Sequence, residues 1–139
     1  MPGIFGQLRA LHRCAEMQAR ELKRVGVDQL ERDQLGRELE EFDAAVPGAK
    51  PGRDILEHFD AYAHGKGKLQ KDVTRELGLD VFEAAAMFWG GGYDPQTEEL
   101  TQGPFVIVVL DALEAAHRLH RAIYAAGKAI DRHRASKGR

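Results

Sequence analysis

The apolar residues of the first 46 positions recur at helical steps, and this constrains the fold more than any other feature. Leu8, Leu11, Ala15, Leu22 and Val25 lie three, four or seven residues apart, and Leu35, Leu39, Phe42 and Val46 repeat the pattern. Residues so spaced share one face of an α-helix and need a partner to cover it. Gly26 interrupts the first run, and Pro47 with Gly48 closes the second. The spacing predicts helices over about 4–25 and 28–45, packed antiparallel because the connector is short.

The punctuation continues down the chain. Pro51 and Gly52 introduce a third helix over 53–64, with Ile55, Leu56, Phe59, Tyr62 and Ala63 as its apolar stripe and Gly65 and Gly67 as its end. Leu69, Val73 and Leu77 predict a short helix stopped near Gly78. Met87-Phe88-Trp89 is bulky and β-prone, and Trp89 is expected to anchor this region on the bundle. The run Gly90-Gly91-Gly92 leads into Tyr93-Asp94-Pro95-Gln96, which has proline where a type I turn favours it. Residues 105–109 are rich in β-branched side chains. Together these predict a β-hairpin over about 85–109. Asp111 and Glu114 have the spacing of a capping box, which starts the last helix near 112 and runs it to about 133. The alternative begins that helix at Pro104. The expected fold is mainly α: an antiparallel bundle of about four to five helices in one domain, 1–139, with a small β-hairpin before the C-terminal helix.

Several function classes are excluded or weakened. The chain has no asparagine, and its sole serine, Ser136, lies near the C-terminus, where a Ser-His-Asp hydrolase site has no rigid nucleophile. Cys14 stands alone on a helical pattern, where a buried structural thiol is the commoner outcome, and a single cysteine fits a reducing cytoplasm. No signal peptide or membrane span is expected. The net charge of −2 makes the whole chain no polyanion binder, but residues 118–139 hold seven Lys or Arg against one acid, Asp131. That basic end, with a tail at 134–139, suits either the helix dipole or an acidic partner. His117 and His120 share a helix face with Tyr124, yet no carboxylate completes a metal set at a fitting offset.

One stretch carries a chemical pattern. In Arg53-Asp54-Ile55-Leu56-Glu57-His58, helical geometry sets Asp54, His58 and Tyr62 on one edge, each four residues from the next. Arg53, Glu57, Asp60 and His64 fall on another. On an ideal helix the Arg53 and His58 directions differ by about 140°. The plain reading is an amphipathic helix with an Arg53–Glu57 ion pair and Asp54 favouring the helix dipole.

The same residues resemble the HEPN motif: an arginine, a polar residue, and a histidine four to six positions beyond the arginine. HEPN domains are small helical bundles, many of them ribonucleases of bacterial toxin–antitoxin and antiviral systems. Toxin members often carry tyrosine two residues after the histidine, where this chain has Asp60. The resemblance implies RNA cleavage through the ribose 2′-hydroxyl without metal or cofactor. It makes His58 the general acid or base, Arg53 the holder of the scissile phosphate and Asp54 the orienting group. It implies a homodimer, with the third helices facing one another so that edges of opposing chains share a cleft, and an antitoxin or other protein partner. Arg, Ala and Gly usage without asparagine suggests a GC-rich bacterial genome. The alternative is a non-catalytic helical protein whose same helix is an interaction or dimerisation surface.

Overall fold

A computed structural model describes residues 4–88 and 90–138, without the side chains of Arg53, Leu56, Glu57, Phe59 and Asp60. The fold is mainly helical, with a three-stranded antiparallel sheet before the long C-terminal helix. The expected anchor Trp89 and the side chains of the expected Arg53–Glu57 pair lie outside the described residues.

The chain divides into two compact units, residues 1–46 with 111–139, and residues 47–110. The first unit holds α1 (Ile4–Val25), α2 (Gln29–Ala45) and α7 (Val109–Lys137) from Asp111 onward. Helices α1 and α2 match the periodicity. Phe5, Leu8, Ala15 and Leu22 of α1 are buried, as are Leu35 and Phe42 of α2. From α7 come Leu119 and Ile130 together with Ala112, Ala115, Ala126 and Ala129, and the alanines let neighbouring helices approach closely. The helices are laced by surface polar contacts. His12 meets Asp43 at 3.0 Å, Arg132 meets Glu31 at 3.0 Å and Arg134 meets Glu21 at 2.9 Å.

The second unit is built from short pieces: α3 (Ala49–Glu57), α4 (Phe59–Ala63), α5 (Lys68–Leu77), α6 (Val81–Phe88), β1 (Gly91–Asp94), β2 (Glu99–Gln102) and β3 (Phe105–Val108). The strands form a meander in the order β1-β2-β3. Gly91 pairs with Gln102, and Leu100 with Ile107. Ile55, Tyr62 and Phe88 form the core, with Leu69, Val73 and Phe105 packed against it. The Tyr62 and Phe88 rings stack at 5.4 Å between centroids, and Phe105 meets Phe88 edge-on at 6.1 Å.

Several expectations are corrected here. The third helix is not one element over 53–64. It begins at Ala49, with Pro51 in the first turn, where a missing N–H costs nothing. It breaks at His58, which has φ −113° and ψ 37°. Met87 and Phe88 end a helix rather than forming a strand. Asp80 and Glu83 cap its start reciprocally, each backbone N–H donating to the other's carboxylate at 3.0 and 2.8 Å. The glycine run feeds β1, so three strands stand where two were expected. Helix α7 starts at Val109, ahead of Asp111, and continues through most of the expected basic tail. Cys14 is exposed, not buried.

Candidate functional site

Asp54, His58 and Tyr62 come together as their spacing predicts, despite the break at His58. Hydrogen bonding carries the chain across it: the His58 N–H donates to the Asp54 carbonyl at 3.0 Å, and the Tyr62 N–H to the His58 carbonyl at 3.1 Å. The Tyr62 hydroxyl donates to Asp54 Oδ2 at 2.5 Å, a short charge-assisted bond. It also accepts the Leu69 N–H at 3.2 Å, which ties α4 to the start of α5. Burial first, and the bond to Asp54 second, push the Tyr62 pKa up to about 12. The other carboxylate oxygen, Asp54 Oδ1, lies 3.8 Å from His58 Nε2. That is an electrostatic contact rather than a hydrogen bond. The His58 side chain is 63% exposed and that of Asp54 32%. A buried tyrosine therefore fixes a half-buried carboxylate, which in turn faces an open imidazole.

Arg53 shares the helix backbone of this site, but its side chain lies outside the description, so the Arg53–His58 separation is not part of the geometry. His64 is exposed on the following turn.

Sequence reasoning missed the residue that organises the site from beneath. Gln70 is 0% exposed and uses its whole amide. Its Nε2 donates to the carbonyls of Tyr62 at 2.8 Å and Ala84 at 3.0 Å, and its Oε1 accepts the Gly67 N–H at 2.8 Å. One side chain thus joins α4, α5 and α6. Its signal was present: Gly67-x-x-Gln70 has capping-box spacing at a helix start.

The basic C-terminal end is partly neutralised, since Arg132 and Arg134 pair with Glu31 and Glu21. His117 and His120 are exposed, and among the described residues no group of three or more His, Cys, Asp or Glu side chains is arranged to hold a metal ion. No described helix is long and apolar enough to cross a membrane. Comparisons with protein-family models, curated proteins and solved structures found no match.

Proposed function

We propose that this chain is a HEPN-like, metal-independent RNA endonuclease of a bacterial toxin or defence system, acting in the cytoplasm as a homodimer. The observation that supports this reading is the Tyr62–Asp54–His58 line, in which an anchored carboxylate faces an exposed imidazole. With Nε2 turned toward Asp54, the other ring nitrogen of His58 is available to a substrate. An imidazole can take a proton and return it within one reaction, which is the role this reading gives His58. In the proposed step the ribose 2′-oxygen attacks the adjacent phosphorus and the P–O5′ bond breaks. The 2′-hydroxyl proton leaves to base and the departing 5′-oxygen gains one, giving a 2′,3′-cyclic phosphate and a 5′-hydroxyl. Arg53 holds the phosphate and offsets its developing charge. In the dimer that the resemblance implies, the arginine and histidine of a cleft come from opposing chains.

The test is incubation of the full chain with labelled single-stranded RNA in the presence of EDTA. Cleavage to cyclic-phosphate ends is expected, with at least about a hundredfold loss in both His58→Ala and Arg53→Ala. Circular dichroism should be unchanged in each variant. Uncut RNA, or variants that cut as well as the parent, would sink the proposal.

A second reading, a non-catalytic helical interaction protein, has its own support. Leu77, Val81 and Phe82 are exposed around the junction of α5 and α6, and Phe82 is 86% exposed. A large aromatic left so open suits a protein partner. Intact RNA together with partner binding lost in Phe82→Ser would favour this reading.

A further inference from the structure

On α7, the side turned away from the buried face carries a narrow stripe: Leu113, His117, His120 and Tyr124, at steps of four, three and four residues. On an ideal helix these four directions fall within about 60°, nearly opposite Ala115, Leu119 and Ala126. All four side chains are exposed, Leu113 at 48% and Tyr124 at 62%. Lys128 lies over the Tyr124 ring, 4.8 Å from its centre. The spacing is that of a short coiled-coil seam. One flank of the seam carries Glu114 and Arg121, seven residues apart and opposite in charge.

We infer that this stripe pairs with the same stripe of a second copy, antiparallel, about a two-fold axis between His117 and His120. The charge pattern selects both occupant and direction. In the antiparallel pair Leu113 faces the partner's Tyr124, and His117 faces the partner's His120. Glu114 then lies about 3 Å along the axis from the partner's Arg121, and symmetry repeats the contact. A parallel pair sets Glu114 level with Glu114 and Arg121 level with Arg121, so neither gains an opposite charge. Four residues a side make an interface below the roughly 1,000 Å² of a stable complex, so the dimer belongs to the weak class. The inference uses different residues from the α3 pairing that the ribonuclease reading implies, and it stands or falls separately.

Sedimentation velocity of the full chain, over a series up to about 1 mM, tests it. Wild type should show a concentration-dependent dimer. Glu114→Arg or Arg121→Glu alone should weaken it about tenfold, and the double reversal should restore it. The positions are exposed, and circular dichroism checks that each variant folds. A wild type that stays monomeric overturns the inference. So does a dimer indifferent to the single reversals, or one that the double reversal fails to recover.

Discussion

The two units of this chain are held together by different kinds of chemistry. Residues 4–46 and 111–138 bury apolar helix faces, and their polar contacts are exposed, as at Arg132–Glu31, or part-buried, as at Arg9–His12. In residues 47–110 a fully buried glutamine spans three helices, and a buried tyrosine carries a carboxylate. The first arrangement tolerates changes in detail, because apolar packing is non-directional and spread over many residues. The second is exacting, because a buried amide that loses a partner leaves backbone groups with nothing to bond. The candidate site stands on the exacting unit, where positions are fixed by directional bonds.

Substitutions can break or sharpen this contrast. The largest effect is expected from Gly67→Ala. A Cβ there would sit 2.3 Å from two Tyr62 ring atoms, far inside contact distance. Unfolding in urea should show a loss of about 3 kcal/mol or more. In the apolar unit, Leu119→Ala should cost about 3 kcal/mol by the same measurement, through the cavity it leaves.

Tyr62→Phe removes the donor from Asp54 and the acceptor from the Leu69 N–H, at a cost of about 1–2 kcal/mol. It also carries a pH signature. Because the folded-state pKa of Tyr62 is raised from 10.0 to about 12, its contribution is full below pH 10 and is lost as pH rises through 12. Alkaline titration of stability should fall more steeply in the parent than in Tyr62→Phe over that window. The smallest effect belongs to Arg132→Ala, whose surface pair with Glu31 should contribute less than about 1 kcal/mol. A loss of several kcal/mol there would mean that the apolar unit also depends on specific polar contacts.

The same contrast explains what could be read from the sequence. Helices α1 and α2 were legible because periodic burial is written directly in residue type. The stop at Gly78 was legible too, and that residue adopts φ 66°. In the second unit, elements of four to ten residues are too short for periodicity to decide. The β-prone look of Met87 and Phe88 yielded to the cap made by Asp80 and Glu83. The same signature at Asp111 and Glu114 sits inside a helix that begins at Val109, since the pattern marks a start only where the preceding chain leaves the helix. The first strand was obscured because Gly91 looks like turn material. It is there because a Cβ would lie 2.5 Å from the Thr101 carbonyl oxygen across the ladder.

At the site, the four-residue spacing of Asp54, His58 and Tyr62 was legible. The bond from Tyr62 to Asp54 was not, because it depends on the bend at His58 and on Gln70 holding α4, α5 and α6 in place. Residue type alone marks neither.

Hydrogen exchange of Gln70→Leu against the parent, read segment by segment, tests the central contrast most directly. That substitution keeps the bulk and strips the Gly67 N–H and the Tyr62 and Ala84 carbonyls of their partners. The expected result is lost protection across 47–110, with 4–46 and 111–138 retaining theirs. Unchanged protection in 47–110, or an equal loss in both units, would contradict the account.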